Sequence, residues 1–362
     1  MDKHLKSSWL LYIFLVFVIS RLIMYYQFHV ADIIMFHGKQ DITNVMCKWD
    51  CKWYLTIING GYDDVVRTTP KLWKGLANWA FFPLYPTIVW LITLLININP
   101  VVIGVLLNQI FVLIAAIIFY KLLNLEFDDL NSRFGATIML FTPFSIYFTS
   151  LYTEALFLCL SVTGFYFIKL QKYTKASIIG GLLSATRPVG IMLAIPLFIS
   201  LIRNKVAKGK IALFMIFAVS GILVFMIYLQ FKAGDFLAFQ HIQKGWGRRG
   251  WDTSNMGGQL WKMLSDYHNS SVFILSFVAS IYLFSKKYYE EAAFNLACIM
   301  PGVLTGTMMS EGRFSGTLFT LYFAIVVLSR KSWSMKVLSF MTLFVLFLSY
   351  YIYWMGHTTF LI

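Results

Sequence analysis

The sequence predicts an all-α polytopic membrane protein, a bundle of about 9–11 transmembrane helices with a long first extracytoplasmic loop and a broken, re-entrant helix pair. Two observations carry this. Of its 362 residues 59% are hydrophobic and only 13% charged, with mean hydropathy +0.71, whereas a soluble domain carries roughly 25% charged residues. Apolar runs near the ~20 residues that cross a bilayer then recur along the whole chain. A single integral membrane domain, 1–362, accounts for it, with no repeat, low-complexity tract or soluble appendage.

The first run follows Lys3 and Lys6 and begins at Trp9. A signal peptide opens the same way, but this run is long and lacks an Ala-x-Ala site, so it reads as a retained helix. The clear runs are 9–28, 101–123, 134–149, 152–168, 211–231, 271–285, 292–309, 314–329 and 335–355. Residues 84–98 are too short to span comfortably. Residues 176–202 are too long for one helix and are broken by Arg187-Pro188 and Pro196.

Charge places both awkward segments. Let 84–98 lie along or half-enter the outer face, and let 176–202 dip in and return to the same side. Segments 1–8, 121–133, 169–175, 203–210, 286–291 and 330–336 then face the cytoplasm with 16 Lys/Arg and 6 Asp/Glu, while the outer segments hold 12 and 10. This is the positive-inside bias. With Arg21 and Arg187 in the membrane it accounts for the net charge of +14, so nucleic acid is not needed as a partner. Two long loops, 29–83 and 232–270, share the outer face with the turns 150–154 and 310–313.

The unusual polar residues collect there. Asp50 lies in Lys48-Trp49-Asp50-Cys51-Lys52-Trp53-Tyr54. It reads either as a general base at the membrane surface, with Trp49, Trp53 and Tyr54 as a sugar platform, or as an interfacial turn with belt aromatics. Glu154, after Tyr152 and Thr153, reads as a substrate-orienting or cation-pairing carboxylate, or as a first-turn helix charge. Arg187, at membrane depth before a helix-breaking Pro188, suits a phosphate site or an ion pair, for which Glu154 is a candidate. Arg21 reads as a snorkelling structural residue. The loop Gln240 to Trp251, with Gln240, His241, Trp246 and Arg248, suits a phosphate-plus-sugar headgroup or non-specific anionic lipid. Glu311 and Arg313 are a further substrate-site pair, or neutralise each other in a tight turn.

Cys159 and Cys298 lie in apolar runs and read as core. Cys47 and Cys51, four apart, would share one face of a helix, where a disulfide is strained, so free thiols are expected. No Cys/His set has metal-site spacing. There is no P-loop, Rossmann fingerprint, outer Asp-x-Asp pair or Ser/His/Asp order, which disfavours a metal-held nucleotide donor and hydrolase chemistry.

Four blocks resemble the PIG-V family: Lys48-Trp49-Asp50 with Tyr54-Leu55 and Gly61-Tyr62; Phe81-Phe82-Pro83-Leu84-Tyr85-Pro86; Ser150 to Phe157; and Ala185-Thr186-Arg187-Pro188-Val189-Gly190. They cover residues 45–200 in the family's order. The resemblance implies a GT-C glycosyltransferase of prokaryotic type. Such enzymes take a mannose or other hexose from a polyprenyl phosphate, are typically inverting and metal-independent, and need no further cofactor. It makes Asp50 the base and Glu154 and Arg187 active-site lining. The expected setting is a bacterial plasma membrane with an extracytoplasmic site, or the endoplasmic reticulum in a eukaryote. The partners are the lipid-linked sugar, a hydroxyl acceptor and membrane lipid; sugar, acceptor and any partner subunit stay open. The rival readings are a lipid-linked sugar flippase and a non-catalytic membrane scaffold.

Overall fold

The computed structural model describes residues 3–69 and 74–356, all helix, turn or coil with no strand among them. Among the described residues five helices are long and apolar enough to cross a membrane: Ser8–Phe36, Pro100–Leu123, Lys208–Ala233, Tyr267–Ser285 and Trp333–Gly356. Their large exposed side chains, such as Leu22, Ile110, Phe231, Ile281 and Leu338, are apolar, as a lipid-facing surface requires.

Several boundaries differ from the sequence reading. The first helix runs on to Phe36, because nothing breaks it before His37 and Gly38 take left-handed backbone angles. The 134–149 run is a helix only to Leu140. Pro143 then imposes a short 3-10 turn and an irregular stretch to Thr153. The 314–329 run is split into Glu311–Gly316 and Phe319–Ser329. Residues 84–98 form a helix only over Leu84–Thr93, too short to span.

The 176–202 segment is a hairpin of two half-length helices, Tyr173–Ser184 and Ala194–Arg203, joined by the 3-10 turn Pro188–Leu193. Its feet meet: the Tyr173 hydroxyl lies 3.3 Å from Ser200 Oγ. Both feet sit at the end of the bundle where Lys169 pairs with Glu291 (2.7 Å) and Glu126 (3.0 Å) and Arg203 pairs with Glu290 (2.7 Å). The dip-and-return geometry expected from the charge pattern is therefore the geometry observed. Small residues let the hairpin press against Lys208–Ala233: a Cβ at Gly221 would come 2.0 Å from the Gly181 carbonyl.

Buried polar contacts tie other helices together. The Asn295 amide donates to Ser276 O (2.8 Å) and Ser280 Oγ (2.7 Å), and its oxygen accepts from Thr320. Arg21 donates to Thr149 Oγ1, Leu140 O and Ser145 Oγ. It is a structural residue, locking the first helix onto the irregular 141–153 stretch.

Candidate active site

The end of the bundle opposite the Lys169 cluster holds a cavity of about 450 Å³. Five separate stretches of chain deliver charged residues to it, and four of those residues, from four stretches, touch one another. Asp50 is the first residue of the helix Asp50–Gly60, reached through Trp49 in a left-handed conformation (φ 44°). Glu154 opens the helix Glu154–Lys169. The turn before it is held by the Asn108 amide, which donates to the carbonyls of Ser150 and Tyr152. Arg187 is extended, the backbone favoured before a proline, and its side chain at the hairpin tip reaches Glu154. Arg313 lies in the short helix Glu311–Gly316, entered through a left-handed Ser310.

These four form one chain of charge. Arg313 Nη1 is 2.7 Å from Asp50 Oδ2, and its Nε is 3.1 Å from Glu154 Oε1. Arg187 Nη1 donates to the same Glu154 oxygen at 3.1 Å. The Arg313 contacts are ion-pair distances in which the N–H bonds are not aligned on the oxygens, so Arg313 Nε and Nη1 are buried without a hydrogen-bond partner; Glu154 Oε2, which neither arginine approaches, is likewise unpartnered. Burial opposes the Arg313 charge, but Asp50 and Glu154 outweigh it and hold the guanidinium protonated. Glu311 is not Arg313's partner, contrary to the mutual neutralisation weighed from sequence. It accepts from Ser315 Oγ at 2.6 Å, and burial lifts it to about 7.

One ring organises the cations. Phe314 has Arg187 at 4.4 Å, Arg313 at 4.8 Å and Arg248 at 5.4 Å from its centroid. Arg248 donates to Met309 O, and burial lowers it to about 10. Guanidiniums stacked on a ring keep their N–H edges available for an anion.

Of the residues singled out from sequence, Asp50, Tyr54, Glu154, Arg187, Gln240, Trp246, Arg248, Glu311 and Arg313 line this cavity. Four do not. Trp49 packs edge-on against Trp354. Trp53 sits behind the wall, between Phe81 and Trp246. Tyr152 lies under Arg313 and donates to Lys48 O at 3.0 Å. His241 is exposed and pairs with Asp235. Lining residues not singled out include Phe81, Phe82, Gln243, Met309 and Phe314. Phe81 and Phe82 stand in a PIG-V-like block and Gln243 in the Gln240–Trp251 loop; Met309 and Phe314 carry no sequence signal of their own. Among the described residues no group of three His, Cys, Asp or Glu could hold a metal ion.

Cys47 and Cys51 form a disulfide, which corrects the expectation of free thiols. They do not share a helix: the left-handed Trp49 separates them, and their Cα atoms are 5.0 Å apart, within bridging distance. Cys159 and Cys298 are free and buried, as expected.

The fold is similar to the crystal structure of the Archaeoglobus fulgidus oligosaccharyltransferase, with TM-score 0.52 and 11% sequence identity over 93% of this chain and 53% of that one. This chain thus spans about half the length of that protein, and the likeness speaks to fold alone. A search of curated protein sequences found no match. The family of mannosyltransferases (PIG-V) matches residues 34–282, more than half of the chain and all four charged residues but Arg313. The protein is an integral membrane glycosyltransferase of GT-C fold that belongs to the PIG-V mannosyltransferase family.

Proposed function

We infer that the protein transfers a mannose or other hexose from a polyprenyl phosphate to a hydroxyl of a lipid, glycan or protein acceptor on the extracytoplasmic face, with inversion and without a metal. The observation that carries this reading is the Asp50–Arg313–Glu154–Arg187 chain along one cavity, with Arg248 alongside. Asp50 Oδ2 is held by Arg313, and Oδ1 takes no hydrogen bond from a described residue. Oδ1 accepts the acceptor's hydroxyl proton as that oxygen attacks the anomeric carbon. The bond from that carbon to the phosphate oxygen breaks, and the electron pair leaves with the phosphate. Arg187 and Arg248 stabilise the phosphate charge. Glu154 fixes both Arg187 and Arg313 relative to Asp50.

A second cavity fits a lipid carrier. An apolar groove of about 990 Å³ runs between Pro83–Trp90 and the helices bearing Leu182 and Val224. Pro83 and Ala185 line it, while their neighbours Phe82 and Thr186 line the charged cavity. Two features favour the extracytoplasmic face. The Lys-rich segments lie at the opposite end. The Cys47–Cys51 disulfide lies at the cavity's end, and disulfides persist outside the cytosol.

The test is Asp50→Asn in membranes supplied with labelled polyprenyl-phosphate sugar. Transfer should fall by roughly 10²–10⁴, the contribution of a positioned base, with donor binding retained. Undiminished transfer removes Asp50 from the base role.

A further inference from the structure

The Cys47–Cys51 bond brackets Asp50. On one side, residues 45–48 are anchored. Lys48 Nζ donates to the carbonyls of Trp354 (2.8 Å) and Met355 (3.3 Å), Trp354 Nε1 donates to Val45 O (3.1 Å), and Leu151 N donates to Met46 O (3.1 Å). On the other side, the helix Asp50–Gly60 begins. Only Trp49 joins the two, at φ 44° and ψ −106°, a conformation costly for a residue with a side chain. Relaxation of Trp49 would rotate the first turn of the helix, and Asp50 with it, away from Arg313. The disulfide crosses this joint covalently, from the anchored Cys47 to Cys51 in the first helical turn.

Its contribution is local. A cross-link removes chain entropy in proportion to the logarithm of the loop it closes, and this loop holds only Lys48, Trp49 and Asp50 between the cysteines. We propose that the Cys47–Cys51 disulfide is a positioning element for Asp50, so that transfer depends on this bond being oxidised. The proposal rests on the reading of Asp50 as the base. Misplacing a catalytic group by about 1 Å costs on the order of 10²-fold in rate, whereas the arginines that hold the donor phosphate come from other parts of the chain. The defect therefore belongs to kcat and not to donor affinity.

Chemistry permits the test. Cys47 is half-buried and meets a reductant, while Cys51 is fully buried behind it. Cys159 and Cys298 are free thiols already, so a reductant has one bond to act on. Dithiothreitol breaks the S–S bond, each cysteine gains one hydrogen, and the reagent becomes its cyclic disulfide. Oxidised glutathione restores the bond and leaves as two thiols.

The detergent-solubilised full chain is assayed before and after dithiothreitol and again after oxidised glutathione. Reduction is verified as four alkylated thiols in place of two by mass spectrometry of the unfolded chain. The expected result is a kcat lower by ~10-fold or more, donor Kd within about twofold, a melting temperature still above the assay temperature, and recovery on reoxidation. A Cys47→Ala/Cys51→Ala variant should show the reduced enzyme's kcat and ignore both reagents. A reduced enzyme with kcat within about threefold of the oxidised one, or one that loses activity only by unfolding or losing donor, overturns the proposal. Asp50→Asn in the oxidised state separates the two readings: if it retains transfer both fall, and if it abolishes transfer while reduction leaves kcat intact, only the positioning role falls.

Discussion

Replacing Arg313 by methionine keeps a long side chain and removes the charge on which the Asp50–Glu154 arrangement turns. Arg313 is 5% exposed and Asp50 19%. Unit charges at their 2.7 Å separation attract by roughly 6 kcal/mol at an effective dielectric near 20, before desolvation is subtracted. Glu154 keeps Arg187 at 3.1 Å, but Asp50 loses its ion-pair partner. Rehydration of the partly exposed Asp50 offsets part of the loss. The net destabilisation should then fall in the range of about 3–5 kcal/mol seen when one side of a buried pair is removed. Chemical unfolding in mixed micelles, followed for Arg313→Met, Asp50→Asn and the double variant, measures this directly. Because the two side chains touch, the double variant should be less destabilised than the sum of the singles, with a coupling of about 1–3 kcal/mol. Additivity to within ~0.5 kcal/mol would refute the claim that Arg313 holds Asp50.

The remaining predictions concern the walls of the same cavity. Burial lifts Glu311 to about 7 from an ordinary 4.5, so folding favours its protonated form; the stability it contributes is full below about 4.5 and is lost as pH rises through about 7. Unfolding curves across that window should slope downward for the wild type and flatten for Glu311→Gln. Gly302→Ala, which in an ordinary helix would stabilise by roughly 0.5–1 kcal/mol, should here destabilise by ~1–3 kcal/mol and raise donor KM, since the new Cβ would fall 2.0 Å from Glu311 Oε2; calorimetry and steady-state kinetics report the two effects. Phe314→Leu removes the ring shared by three guanidiniums and should weaken donor binding by about 1–3 kcal/mol, read by titration with polyprenyl-phosphate sugar. A cysteine at Lys172, at the foot of the hairpin, should react with an impermeant maleimide only from the cytoplasmic side; labelling from outside would invert the topology.

The helical bundle was legible because lipid imposes a length and a composition on every segment that crosses it. The re-entrant hairpin was legible for a different reason: Pro188 breaks the 176–202 run, and only a return to the same side keeps 169–175 and 203–210 with the other basic segments. Glu154 and Arg187 stood out as charges beside apolar runs, and Asp50 as a carboxylate in the first long polar stretch after the N-terminal apolar run. Their partners did not. Arg313 was read beside Glu311, two residues away, yet it pairs with Asp50 and Glu154 across the fold, and nothing in a linear sequence ranks a distant carboxylate above a neighbouring one. Phe314 looked like one apolar residue among many, and its role exists only once three arginines arrive from three segments. The disulfide was misread because the spacing of Cys47 and Cys51 was judged against a regular helix, while the left-handed Trp49 between them carries no signature in its residue type.

The hairpin also bears on traffic through the bundle. Its feet are fastened at one end by Tyr173–Ser200 and Arg203–Glu290, and its tip supplies Thr186, Arg187, Pro188, Val189 and Met192 to the cavity wall. The charged cavity is thus built as a well entered from one side. To hand a sugar across the bilayer, the hairpin would have to withdraw, stripping Arg187 from Glu154, which keeps only Arg313, and leaving a buried cation without its partner. If this cavity is where transfer occurs, such a well would return its product to the face from which its substrates came, the behaviour of a transferase and not of a flippase.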